Sequence, residues 1–334
     1  MTLEEIAKKM CARGKGILAA DESTGTMDKR LTSVGVECTE KNRLNFRETL
    51  FTSDAMKSYI GGVILFDTTI REKTSTGIPI TELLEKNNSV VGIKVDKGTK
   101  KLAGSPEETI TDGLDGLRER LSEYYKLGAR FTKWRAVYKI GKNNPSVQSI
   151  KSNAHALARY SALVQEAKMV PIVEPEVLME GDHNIDTCFN VTTDVLNECF
   201  NELAIQKVSL KGIVLKPNMI VPGFKSSKKV TAEEIAKKTL DCLKKNVPQE
   251  VPGIAFLSGG QSEQEATNNL DAINKINDTN FLITYSYGRA LQQSALKTWS
   301  KEMGNIKSIH DVFNHRAKMN GLASKGEWSR ALEI

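Results

Sequence analysis

The sequence predicts a (β/α)8 barrel, read as one domain over residues 1–334 with extra C-terminal helices over 305–334. Three observations predict it. Eight short apolar runs recur along the chain, starting at residues 16, 61, 91, 131, 170, 212, 253 and 281. Every gap between them is long enough for a crossover helix, which a parallel pair of strands requires. Nearly every run carries charged or hydroxyl residues in it or at its end, and in such barrels the C-terminal ends of the strands build the active site.

The runs, in order, are GILAAD (16–21), GGVILFD (61–67), VGIKVD (91–96), FTKWRAVY (131–138), VPIVEPE (170–176), GIVLKP (212–217), GIAFLSGG (253–260) and FLITYSYG (281–288). Each has strand length and is rich in β-branched or aromatic residues. Helical spacing marks DGLDGLRERLSEYYKLG (112–128), NAHALARYSALVQEAK (153–168) and AEEIAKKTLDCLKK (232–245). In the last of these, Ile235, Ala236, Leu240 and Leu243 recur near the 3.6-residue period of an amphipathic helix. A doubly wound open sheet is the alternative. It would prefer fewer strands and a glycine-rich fingerprint after the first, which this sequence lacks.

Composition narrows the function classes. No stretch approaches the roughly 18 apolar residues of a membrane span, and the opening MTLEEIAKKM carries two glutamates where a signal peptide would be acid-free. A soluble, cytoplasmic protein without a membrane partner is expected. The five cysteines (Cys11, Cys38, Cys188, Cys199, Cys242) are scattered and odd in number, which suits reduced thiols rather than disulfides or a zinc cluster. The net charge of +6 is modest, and the pairs Lys237-Lys238 and Lys244-Lys245 alternate with acids on helical stretches, so no nucleic-acid partner is indicated.

The chemistry sits at the strand ends. Asp21, Asp67, Lys94 with Asp96, Glu174 with Glu176, Lys216 and Ser258 end their strands in chain order, Lys133 and Arg135 lie in the fourth strand, and Ser286 with Arg289 follow the eighth. Residues two apart on a strand share a face, so Glu174 with Glu176 and Lys133 with Arg135 form pairs. Converging charges have no packing rationale in a barrel otherwise filled by Val, Ile and Leu, because unpaired buried charges cost several kcal/mol.

Lys216, which ends the apolar run GIVLK, is the most telling residue. At neutral pH only about one lysine in two thousand is a nucleophilic amine, and desolvation beside another cation such as Lys133 raises that fraction. Such an amine attacks a ketone to form a Schiff base. Glu174 would move the protons that expel water, and Asp21 would take a proton from the hydroxyl beyond the bond to be broken. For phosphate, the backbone N–H groups of Ser258, Gly259 and Gly260 can form an anion nest and Arg289 offers a fork for phosphate oxygens, although a Gly-Gly turn and a surface arginine account equally for either motif by itself. Across the mouth, Arg30, Thr26 and Lys94 would hold a second phosphate, although a surface salt bridge accounts equally for Arg30.

The segments GKGILAADESTG, GGVILF, VVGIKVDKG, KWR, PIVEPE, LKPNM, FLSGGQSE and SYGRALQ, in this order and spacing, resemble class I fructose-1,6-bisphosphate aldolase from about residue 3 to 324. The resemblance implies a lyase that reversibly cleaves fructose 1,6-bisphosphate to dihydroxyacetone phosphate and glyceraldehyde 3-phosphate. It assigns the Schiff base to Lys216, acid/base work to Glu174, the C–C cleavage base to Asp21, and substrate positioning to Lys133, supported by Arg135 and Glu176. Ser258, Gly259, Gly260, Ser286, Gly288 and Arg289 would hold the ketone-side phosphate, and Arg30, Lys94, Ser23 and Thr26 the other. The family usually has serine where this chain has Thr26. A homotetramer is implied, with no cofactor. Relatives continue into a tail ending in a tyrosine, whereas this sequence closes on GEWSRALEI. Trp328, Ala331 and Leu332 there fall at helical spacing, so a docked helix is expected.

The alternatives are a transaldolase-like Schiff-base enzyme, or a protein that keeps the fold chiefly to bind cytoskeletal or pump proteins, for which this sequence gives no support. The metal-dependent aldolases hold zinc with histidines. Here His155, His183, His310 and His315 all lie away from strand ends, and they read as solvated or satisfied surface residues. No histidine or cysteine cluster has ligand spacing. Cleavage activity should therefore survive prolonged EDTA treatment; loss on chelation with recovery on adding zinc would contradict that.

Overall fold

A computed structural model of the chain describes residues 1–333. Ten strands are present: β1 (Gly16–Ala20), β2 (Ile60–Leu65), β3 (Val90–Lys94), β4 (Thr99–Leu102), β5 (Ser105–Thr111), β6 (Phe131–Tyr138), β7 (Val170–Val177), β8 (Val214–Leu215), β9 (Gly253–Phe256) and β10 (Leu282–Tyr287). Eight of them close a barrel in the order β1-β10-β9-β8-β7-β6-β3-β2. Every barrel pair is parallel. The eight expected runs are these eight strands.

The differences are local. β4 and β5 form an antiparallel hairpin that the sequence did not suggest, because KKLAGSPEET is too charged to read as strand. β8 keeps only two residues, following a 3-10 turn at Leu210–Gly212. Asp67 does not close β2, which ends at Leu65; it opens the short helix Asp67–Ile70, where a carboxylate suits the N-terminal end.

Strand parity divides the apolar residues into two clusters. Ile17, Ala19, Ile64, Val90, Phe131, Val170, Ile172, Val214 and Ala255 form an inner cluster inside the barrel. Their neighbours in sequence, such as Leu18, Val63, Val91, Trp134, Val173 and Leu215, belong to the outer cluster packed beneath the helices. Fully burying a side chain of this size stabilises the fold by about 1.5–3 kcal/mol.

The floor of the barrel is closed by the first helix, Leu3–Met10. Thr2 caps it, its hydroxyl accepting from the Glu5 N–H while the Glu5 carboxylate accepts from the Thr2 N–H. Ile6, Ala7, Met10 and the following Cys11 join the inner cluster. Gly253, at the start of β9, allows this approach: a Cβ there would lie 2.6 Å from the Cys11 Sγ. Burial pushes the Cys11 and Cys199 thiols up to about 12, too high for thiolate chemistry.

Of the stretch read as a C-terminal extension, residue 334 lies outside the described residues. The rest forms the helix Ile306–Ala323 and a 3-10 turn at Arg330–Glu333. The expected apolar helix face is not there. Trp328 is buried, whereas Ala331 and Leu332 are exposed. With three residues per turn, a 3-10 segment does not keep i and i+4 on one side.

Polar contacts dock the segment instead. The Trp328 N–H donates to Asp271 at 2.8 Å, and its indole N–H donates to Glu333 at 2.9 Å. Arg316 grips the Glu333 carboxylate with two N–H groups at 2.6 and 2.8 Å. Replacing Trp328 with Ala should destabilise the protein by about 3 kcal/mol, seen as a lower Tm, while cleavage at 25 °C changes little. A large loss of activity at unchanged Tm would show that this segment serves the reaction directly.

Candidate active site

The parity that fills the barrel floor also loads its mouth. Asp21 continues the inward series of Ile17 and Ala19, Lys133 and Arg135 continue that of Phe131, and Glu174 and Glu176 continue that of Val170 and Ile172. Lys94 is in phase with Val90, and Lys216 with Val214. Bottom to top, the lumen changes from hydrocarbon to charge.

Four of these groups form one chain of ion pairs. The Lys216 ammonium lies 3.2 Å from Glu174, Glu174 lies 3.6 Å from Lys133, and Lys133 lies 2.7 Å from Asp21. All four side chains are buried or nearly so. Burial would raise the Asp21 pKa, but Lys133 and Lys216 overcome it and hold the carboxyl at about 2. Burial would lower that of Lys133, but the Asp21 and Glu174 charges overcome it and keep the ammonium above the usual lysine range. A second pair, Arg135 with Glu176 at 2.5 Å, stands above the first. Glu174 Oε2 and Ser286 Oγ are buried without a hydrogen-bond partner, two polar atoms with capacity for a further contact.

The mouth divides into two cavities. One, of about 420 Å³, is lined by Glu174, Glu176, Arg135, Lys216, Ser258–Gly260, Ser286, Gly288 and Arg289. The glycine pair has φ of +57° and +89°, left-handed backbone that turns successive N–H groups toward one point. Met179 and Phe224 flank this nest: a Cβ on Gly259 would lie 3.2 Å from the Met179 sulfur, and one on Gly260 2.6 Å from the Phe224 ring. Neither flanking residue was foreseen from the sequence. Hydrogen bonds from Gly223, Phe224 and Lys225 N–H to the carbonyls of His183, Met179 and Gly181 stitch the two loops together.

The other cavity, about 560 Å³, holds Ser23, Lys94 and Asp96 among its lining, with Arg71, Arg120 and Tyr124 beyond them. Lys94 is paired to Asp96 at 2.7 Å. Ser23 caps the helix Thr24–Thr32, and its hydroxyl is 3.1 Å from that of Thr26. Thr26 and Arg30 line neither cavity. The expectation that Arg30 stands across the mouth from Gly288 does not hold: β1 is bonded to β10, and a Cβ on Gly288 would lie 3.6 Å from Arg30 Nη2. Arg30 is ion-paired with Glu22, a residue the sequence did not single out.

A cleft of about 600 Å³ beside Arg316, His315 and Glu333 shares no lining residue with the mouth. Volume favours that cleft, but the converging lysines and carboxylates favour the mouth as the reactive site. The histidines are mostly satisfied as expected: His155 meets Glu202 at 2.9 Å, and His310 meets the Thr49 carbonyl at 2.8 Å. His183 is the exception, since the stitched loops bury it and leave both ring nitrogens unpartnered. That burial lowers its pKa against the pull of Asp182. Among the described residues, no three His, Cys, Asp or Glu side chains cluster so as to hold a metal ion.

A closed parallel barrel with a buried lysine between carboxylates and a glycine nest at its mouth defines a barrel enzyme built for carbonyl chemistry on an anionic substrate. The comparisons with known proteins are more particular. The family model described as fructose-bisphosphate aldolase class-I matches residues 2–333. A probable class 1 fructose-bisphosphate aldolase of Xanthomonas campestris is 50% identical over 327 residues, 98% of each chain. A cytoplasmic fructose-bisphosphate aldolase isozyme of Pisum sativum is 52% identical over 96% of this chain and 90% of its own. The structure of fructose-bisphosphate aldolase from Plasmodium falciparum, in complex with TRAP and a small-molecule inhibitor, superposes with a TM-score of 0.96 at 44% identity, covering 98% of this chain and 95% of that one. The chain belongs to the class-I fructose-bisphosphate aldolase family, and it is a lyase.

The depressed Asp21 pKa carries a pH dependence. Folded, the carboxyl titrates at about 2, against 3.8 when exposed, so the folded state is favoured above pH 3.8 and loses that advantage as pH falls towards 2. The shift is worth about 2 kcal/mol. Denaturant unfolding of wild type should therefore weaken more steeply between pH 4 and 2 than that of Asp21→Asn; parallel curves would remove Asp21 from the acid sensitivity.

Proposed function

We propose that this chain cleaves fructose 1,6-bisphosphate, reversibly, through a Schiff base on Lys216. The observation that carries the proposal is the buried lysine whose ammonium lies 3.2 Å from Glu174 on the floor of a cavity rimmed by an anion nest. In this reading Lys216 gives its proton to Glu174 and attacks the ketone carbon C2. A second proton passes from the nitrogen to the C2 oxygen to give a carbinolamine, Glu174 returns its proton to that hydroxyl, water leaves, and an iminium remains.

Asp21 then accepts the proton of the C4 hydroxyl. The C3–C4 bond breaks, its electrons pass into the iminium, and the aldehyde departs from an enamine. Protonation at C3 and hydrolysis of the imine release the ketone phosphate and restore the amine. Asp21 binds a proton weakly while Lys133 and Lys216 are both charged, so its role as base requires the substrate to draw the Lys133 hydrogen bond away from it. Lys133 is thereby the group that couples substrate arrival to proton transfer.

The ketone-side phosphate is assigned to Ser258–Gly260, Ser286, Gly288 and Arg289, with Arg30 moved to this side by its place beside Gly288, and the other to Ser23, Thr26 and Lys94. Arg135 and Glu176 position the sugar between them. The unpartnered Ser286 hydroxyl supports the first set. A cytoplasmic homotetramer is the assembly and location we assign by family likeness; no described helix is long and apolar enough to cross a membrane.

Borohydride added with fructose 1,6-bisphosphate should inactivate the enzyme and leave a three-carbon phosphate adduct on the peptide containing Lys216. Lys216→Met should abolish both trapping and turnover. An adduct on another lysine, with the Met variant still active, would defeat the assignment.

A further inference from the structure

Arg30 has an ionic partner that the proposed function does not use. Its guanidinium contacts the Glu22 carboxylate, with the two side chains only 12% and 8% exposed. Glu22 lies one residue past Asp21, out of phase with it, behind the wall of the mouth. The same carboxylate is 3.7 Å from Arg47, whose side chain is 2% exposed. Arg47 donates to the Thr69 hydroxyl at 2.6 Å and to the Glu22 carbonyl at 3.0 Å. Gln292 adds a further donor, its amide reaching the Ala19 carbonyl at 2.7 Å and Glu22 Oε1 at 3.3 Å.

The two ends of the pair are unequally held. Glu22 has Arg47 and Gln292 in addition to Arg30, so it would stay paired if Arg30 left. Among the described residues, Glu22 is the one side chain that binds the Arg30 guanidinium. Arg30 is also near a cavity without lining it, since its Nη2 would be 3.6 Å from a Cβ on Gly288, and Gly288 is part of the cavity wall. A phosphate carries more charge than a carboxylate and offers an oxygen pair to the same fork, so it competes for this arginine on favourable terms.

We propose that Glu22 is an internal substitute for phosphate: it holds Arg30 back until the ketone-side phosphate of the substrate, bound beside Gly288, draws it forward. This deepens the functional reading above and rests on its placing Arg30 among the phosphate ligands. Glu22 acts through Arg30 and is a positioning residue. Its charge weakens the phosphate contact in proportion to the hold that must be broken, which favours release.

The test uses the full chain and inorganic phosphate as probe, measured by calorimetry without turnover. Glu22→Gln should bind phosphate about tenfold more tightly, Glu22→Asp should stay near wild type, and the gain should vanish when Arg30→Ala is added. In steady state, Glu22→Gln should lower KM for fructose 1,6-bisphosphate and for fructose 1-phosphate alike, since both carry the ketone-side phosphate. Unchanged or weaker phosphate binding by the folded variant, a gain that persists without Arg30, or an unchanged KM for fructose 1-phosphate would overturn the proposal. If Glu22→Gln does not fold, wild-type crystals soaked in phosphate decide the matter: Arg30 turned onto the phosphate supports it, and Arg30 still on Glu22 with phosphate bound in the mouth defeats it. Failure of the aldol reading itself would appear separately, as absent cleavage with phosphate binding intact.

Discussion

The ammonium of Lys133 is the group on which the mouth of this barrel depends. It bonds Asp21 on one side at 2.7 Å and faces Glu174 on the other at 3.6 Å, and Glu174 in turn holds Lys216. Through it, residues within β6 and β7 and just past the ends of β1 and β8 are tied into one alternating series of charges. Removing one partner from such a buried series costs about 3–5 kcal/mol, because the remaining charge is left in a poor dielectric. The same arrangement governs reactivity, since each proton a group gains or loses changes the field at the next. Structure and chemistry here are two readings of one electrostatic chain.

Much of this was legible in the sequence because both of its signals are periodic. Strand length and interval identify the eight barrel strands, and alternation along FTKWRAVY and VPIVEPE puts Lys133, Arg135, Glu174 and Glu176 on the lumen side. What escaped has a common character. Glu22, Met179, Phe224 and Gln292 act through loops or helices that only the closed barrel brings together, and no local pattern marks them. The hairpin β4–β5 was missed for the opposite reason, since its polar residues serve solvent on both faces and mimic a loop. The place of Arg30 could not be read either: proximity to Gly288 follows from β10 closing against β1, a contact between the two ends of the barrel.

The C-terminal segment teaches a related point. Trp328, Ala331 and Leu332 have helical spacing, yet only Trp328 is buried, and an Arg316–Glu333 pair supplies the rest of the hold. Spacing states which residues would share a face if a helix formed. It does not state that the helix forms, and a short segment anchored by one large side chain and one charge pair has little need of it.

The first helix, lying across the barrel floor, has a consequence for traffic. With Ile6, Ala7 and Met10 packed into the bottom of the lumen, the described chain leaves one doorway, and it is the one the nest and both arginines guard. Whatever is bound deepest therefore leaves last. In the proposed reaction the half bonded to Lys216 is held until its imine is hydrolysed, so the other half departs first. In the reverse direction the covalently held half must be seated before the other arrives. A plug at one end of the molecule thus sends both halves through the other.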